Sequence, residues 1–430
     1  MRKALTGVLV LVLLVVLAAC SQGNETDNTQ SSENPAQAGE PGGAAEPAKT
    51  EKEKVTLEFA TNAANATLEA YKELAESYMK ANPHITIEVQ KADDALMNAR
   101  MANNDLPDLW TTQGWAVHRY GEYLRPLNDQ PWSSLLVPEI VPIVTDAENN
   151  LVALPFDVDI SGMLYNRTVL EELGLEVPKT WEDFLAACEA AKQAGYTAIH
   201  LGGKDTGAVA GFFNRIALSL LVMDGGFGDA LKNGTFDWSN WSIVSDFVLN
   251  LKNKGYFNVD LLTADKQATF AEMAQDRVLF TFESNLAITE ILKLNPDAKV
   301  TMMQLPASKS GPFLISGERN AVGVWKDTPH EEEALAYLNY LAQPENVKKV
   351  AESYSLPAAF KNVEVDLGEL EEAFKQYENS PVSNHFDREY LPNGMWNTLK
   401  AMGPGLLSGD LGPAEAAKMM QEDYVRLRGN

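Results

Sequence analysis

The chain has 430 residues, with 60 acidic against 35 basic side chains and a net charge of −25. So acidic a chain is repelled by nucleic acid and by anionic lipid surfaces, which excludes both as principal partners. Its length exceeds what one simple core accommodates, so two lobes are the default expectation.

Arg2 and Lys3 precede an unbroken aliphatic run of ten residues, 8–17, and Ala18-Ala19-Cys20 follows. A positive start, a short apolar stretch and small residues form an export signal, and the stretch is shorter than the roughly 20 residues that span a bilayer. Leu17-Ala18-Ala19-Cys20 resembles the box of bacterial lipoproteins, which implies a signal peptide over 1–19 and palmitate-type acylation of Cys20. Removing 1–19 takes away Arg2 and Lys3 and leaves a charge of −27. Residues 21–54 contain no Val, Ile, Leu, Met, Phe, Trp or Tyr, so they cannot bury enough apolar surface to order themselves. Residues 20–54 are therefore read as an acylated, disordered tether with a reach of roughly 30 Å. With Cys20 acylated, Cys188 has no partner for an intrachain disulfide. The implied location is the extracellular face of a bacterial cytoplasmic membrane.

Residues 55–59 alternate as a strand, and Leu68, Tyr71, Ala75, Tyr78 and Met79 recur at helical spacing until Asn82-Pro83. A second alternation at 85–89 completes a strand–helix–strand unit, which implies a parallel sheet covered by helices. Residues 106–110 read as a buried strand, and 151–165 holds two apolar segments around Pro155. Thr180 is an N-cap with Asp183 at the third helical position, and Gly195 a helix stop. Trp181, Phe184, Leu185, Cys188 and Ala191 share one face, which makes Cys188 a buried apolar residue. Further helical patterns cover 331–342, 346–354, 369–379 and 413–428.

Several blocks resemble the bacterial extracellular solute-binding protein family that includes the maltose-binding proteins of ATP-driven importers. They are Ala153-Leu-Pro-Phe156, Met163-Leu-Tyr-Asn-Arg167, the stretch 173–184 with Pro178-Lys-Thr-Trp181, the segment 270–280, the helix 330–345 and Ser355-Leu-Pro-Ala358. The resemblance runs from about residue 55 to the end. It implies a two-lobed α/β fold like the periplasmic binding proteins of class II, with ligand held in a cleft between lobes. The expected lobes are 55–157 plus 306–345 and 158–305 plus 346–430, with crossovers near 157–161 and 301–306. One departure is that Glu283-Ser284-Asn285 stands where the family often carries Gly-x-Trp.

A sugar presents hydroxyls that planar polar side chains pair and C–H patches that aromatic faces cover. The resemblance places such contacts at Asp159 on a crossover strand and at Trp396, 13 residues before Gly409. Trp115, on the rim after Pro107-Asp108, and Asn285, in the slot of the absent aromatic, are further candidates. Asn62, at the end of the first strand, and Arg319, in Ser316-Gly-Glu-Arg-Asn320, complete the set. For each, a core or solvated-loop role is the competing reading.

No enzymatic chemistry, cofactor or metal site is expected. Asp157-x-Asp159-x-Ser161-Gly162 imitates half a calcium loop but has Thr168 where a bidentate Glu is required. The five His residues show no ligand spacing. A secreted glycoside hydrolase, which needs two suitably spaced carboxyls, and a surface adhesin remain as rivals. The resemblance implies a monomeric, lipid-anchored receptor of an ABC importer. It would capture a mono- or oligosaccharide for ABC permease subunits, with a peptide, polyamine or sulfonate as the alternative solute.

Overall fold

The computed structural model describes residues 53–429 apart from 64, 113–119, 147 and 318–319. The export signal, Cys20, the tether up to residue 52, Trp115 and Arg319 lie outside the described residues. Strands β1 (Val55–Thr61) and β2 (Ile85–Lys91) flank the helix Asn65–Ala81 and run parallel, Val55 opposite Ile85. Alternation buries Leu57, Phe59, Ile85 and Ile87 against that helix while Thr86 and Glu88 face solvent. In chain order the remaining strands are β3 (Leu109–Thr112), β4 (Leu154–Pro155), β5 (Asp159–Ser161), β6 (Met163–Asn166) and β7 (Thr197–Ile199). They are followed by β8 (Val278–Thr281), β9 (Val300–Met303), β10 (Leu314–Gly317), β11 (Ala321–Val324) and β12 (Val382–Asn384).

Among the described residues three sheets result, ordered β2-β1-β3-β11-β4, β7-β8-β6-β9 and β12-β10-β5. The path β4-β5-β6 therefore leaves the first sheet, passes through the small third one and enters the second. The path β9-β10-β11 returns the same way, and β5 lies antiparallel to β10 with Gly317 opposite Asp159. Gly162 makes the step from β5 to β6 possible, because a Cβ there would fall 1.9 Å from the Met303 carbonyl oxygen.

Each large sheet has its own core. Leu57, Phe59, Tyr71 and Phe156 cluster with the buried face of the helix Glu331–Leu341. Phe184, Phe212, Phe280 and Met402 belong to the second core, with the C-terminal helices Met395–Ser408 and Pro413–Arg428. Each such side chain contributes roughly 1.5–3 kcal/mol by leaving water. The helix Trp181–Gln193 starts at the expected capping box of Thr180 and Asp183 and buries Trp181, Phe184, Cys188 and Ala191. Such a cap adds about 1 kcal/mol. The segment Thr206–Met223 is long and apolar enough to cross a membrane, yet 67% of it is buried inside the fold.

Two sequence expectations are corrected. The return crossover is β10 rather than 301–306, because Val300–Met303 continues the second sheet beside β6. The boundary at 345/346 also shifts, since Val347, Val350, Ala351, Ala359 and Phe360 pack in the first core, whereas Leu305, Ala307 and Phe313 pack in the second. The amphipathic helix Pro344–Glu352 lies against the helix Asn65–Ala81, and that apolar face fixes its side. The pattern at 369–379 is realised as a short 3-10 turn, Gly368–Leu370, followed by the helix Glu371–Gln376.

Candidate functional site

A cavity of about 600 Å³ opens beside the third sheet. Its wall comes from one face of the helix Thr206–Ala217, from Phe282–Ser284 after β8, from Lys266, and from the stretch 385–397 after β12. The helix begins at Asp205, whose carboxylate accepts from the Gly207 N–H at 2.8 Å. It turns Gly207, Ala208, Gly211, Asn214 and Arg215 toward the cavity, a spacing of three and four that marks one helical face. Asn214 Oδ1 accepts from the Asp387 N–H at 2.8 Å and so fastens this helix to the 385–397 wall.

Trp396, the second residue of its helix, is 36% exposed although it stands beside the second core. Gly211 faces it: a Cβ there would lie 3.9 Å from the indole edge and 3.4 Å from Arg215 Nη1. The missing side chain keeps the space between ring and guanidinium open. Arg215 is 8% exposed and donates from Nη1 to the Gly211 carbonyl at 3.2 Å.

Opposite charges surround these groups. Glu283 is 8% exposed, with its carboxylate 3.9 Å from Lys266 Nζ, and Lys266 is paired with Asp205 at 2.9 Å. Burial raises the Glu283 pKa, while Lys266 and Arg215 pull against that shift. His385 is buried on the wall, Nε2 3.6 Å from Asp159 Oδ2. Burial, with Arg388 acting in the same direction, lowers its pKa to about 4 against the pull of Asp159, which leaves a neutral imidazole at pH 7. An aromatic face beside a guanidinium, a carboxylate, an amide and an imidazole suits a ligand with both C–H faces and many hydroxyls. Among the described residues no group of three or more His, Cys, Asp or Glu is arranged to hold a metal ion.

Of the six residues expected from sequence, Trp396 lies on this wall. Asp159 is buried behind His385, on β5. Asn285 is buried as well, its amide donating to the Ile160 carbonyl at 2.8 Å, which ties the helix Leu286–Leu294 to the crossover. Asn62 is exposed at the end of β1, where its backbone N–H donates to Thr111 Oγ1 at 3.2 Å. Trp115 and Arg319 are outside the described residues. Sequence reasoning does not find Asn214, Arg215, Glu283 or His385. The one available signal is Arg215, the single charge in a largely apolar helix.

The model of the family described as bacterial extracellular solute-binding protein matches residues 63–348. The chain is 32% identical over 399 residues to the melibiose/raffinose/stachyose-binding protein MelE of Bacillus subtilis (strain 168), covering 90% of this chain and 93% of that protein. A sugar transporter of Bacillus licheniformis, solved in complex with stachyose, superposes with a TM-score of 0.80 at 34% identity over 87% of this chain and 100% of that one. A Bacillus subtilis binding protein in an open conformation gives 0.82 at 31% identity, covering 87% and 98%.

Proposed function

Because this chain belongs to the bacterial extracellular solute-binding protein family, we propose that it is the receptor of an ABC importer for oligosaccharides of the melibiose, raffinose and stachyose type. The observation that carries this reading is Trp396, held exposed on a cavity wall beside Asn214, Arg215 and Glu283. An indole face covers the C–H patch of a pyranose, and the polar groups around it pair its hydroxyls. A cavity of about 600 Å³ lies in the range of small-molecule sites. The sugars named for MelE and for the stachyose complex support the same class. All three are α-galactosides.

In this reading the chain performs no chemistry on its ligand. It captures the sugar, closes by rotation about β5 and β10, and presents the closed form to permease subunits as a monomer. The family is extracellular, and the proposed anchor is an acylated Cys20 behind a signal peptide. Cell fractionation tests the anchor: Cys20→Ala should release the protein from membranes. Complete retention of the variant would reject it. The sugar itself is tested by calorimetric titration of the wild-type protein with melibiose, raffinose, stachyose and maltose, with chromatography of the sugar afterwards. Saturable binding of the galactosides, with sugar recovered intact, is expected. Hydrolysed sugar would mark an enzyme, and silence toward all four would reject the receptor for this class.

A further inference from the structure

Glu283 raises a question that the architecture leaves open. Its carboxylate is nine-tenths buried, and Oε1 has no hydrogen-bond partner among the described residues. Lys266 stands 3.9 Å away, a separation that gives Coulomb attraction but no hydrogen bond. Burying an ionised carboxylate without hydrogen bonds is unfavourable by several kcal/mol, so a purely structural role is poorly served by this geometry. The residues on either side of it are anchored. Phe282, the preceding residue, packs edge-on against Phe212 with ring centroids 4.8 Å apart. Two residues on, Asn285 is committed to the Ile160 carbonyl. The carboxylate thus lines the same cavity as Trp396, with Oε1 enclosed and lacking a hydrogen bond from the described residues.

We infer that Glu283 is a specificity-determining contact of the saccharide site, its carboxylate accepting a hydrogen bond from a hydroxyl of the bound sugar while Lys266 and Arg215 supply positive charge beside it. The inference rests on the carbohydrate reading above. A site built around a buried acceptor discriminates strongly against ligands that lack the matching hydroxyl, because the acceptor then stays desolvated and unpaired. Such a residue has a further signature. Neutralising it relieves a buried charge in the empty protein, so stability and binding change in opposite senses.

The test compares wild type with Glu283→Gln, which keeps the shape and removes the charge, and with Glu283→Ala. Each is titrated with raffinose and melted without sugar. The expected result is affinity lower by roughly 10- to 100-fold, the range of a hydrogen bond to a charged group, with an unliganded melting temperature equal to wild type or higher. Affinity retained in both variants overturns the inference while leaving the receptor reading intact. So does an affinity loss accompanied in both by a fall in unliganded melting temperature, which marks Glu283 as a structural partner of Lys266. A wild-type protein that binds no saccharide removes both readings together.

Discussion

His385, just after β12, and Asp159, the first residue of β5, face one another with Nε2 3.6 Å from Oδ2. His385 lines the cavity while Asp159 opens the crossover strand. The pair therefore couples the ligand wall to the segment that joins the lobes.

Titration of this pair has a readable consequence. Burial, with Arg388 acting in the same direction, lowers the His385 pKa to about 4 from 6.5, against Asp159 and Asp387. A group depressed in the fold contributes stability that is complete above its unfolded pKa and lost as pH falls toward the folded one. Buried His200, lowered by desolvation, adds a loss of the same sign. Glu283, raised by burial, acts in the opposite sense. Comparison with His385→Gln isolates the one term. Between about pH 7 and pH 4.5 the wild-type melting temperature should fall more steeply than that of the variant; parallel curves would show that His385 ionises freely.

Trp396→Ala should weaken raffinose binding by about 1–3 kcal/mol, roughly 5- to 150-fold in Kd. The ring is 36% exposed, so the unliganded melting temperature should stay within about 2 °C of wild type. A collapse of the unliganded protein would instead make Trp396 part of the core.

Cys188 is fully buried in the second core, and burial pushes its thiol pKa strongly upward. Thiolate is the reactive form. A thiol reagent should therefore leave Cys188 unmodified in the native protein and label it completely in denaturant. Rapid native labelling would show that the helix Trp181–Gln193 opens locally.

Much of the fold is legible in the sequence because it depends on local rules. Residues 413–428 form the helix Pro413–Arg428 where the pattern places it, and the alternations at 55–59 and 85–89 become the parallel pair β1 and β2. The misplaced crossover has a different origin. Val300–Met303 and Leu314–Gly317 are both short apolar runs, and nothing local says which sheet a fully buried strand joins. The same limit governs the site. Trp396 is proposed through the family resemblance, by its spacing from Gly409, whereas Arg215 and Glu283 are single polar residues whose meaning depends on a cavity assembled from distant segments. Asn285 comes from the same triplet as Glu283, yet its amide is turned to Ile160, while Glu283 lines the cavity.

Closure should be visible in solution. The lobes are linked through β5 and β10 and by the chain that leaves the first core after Phe360, so few strands oppose a hinge rotation. A ligand that gains contacts only in the closed form shifts the equilibrium by that differential affinity. Small-angle scattering of a protein starting at Val55 should show the radius of gyration shrinking by about 1 Å at saturating raffinose, on the compactness scale of folded chains. An unchanged radius with binding confirmed would indicate a preformed rigid site.

The most direct test is a crystal structure of the protein with stachyose. The account predicts one sugar ring lying against the indole of Trp396 and a hydroxyl within hydrogen-bonding distance of the Glu283 carboxylate, with Arg215 and Asn214 completing the seat. Stachyose bound elsewhere in the molecule, with Trp396 and Glu283 both facing solvent, would contradict it.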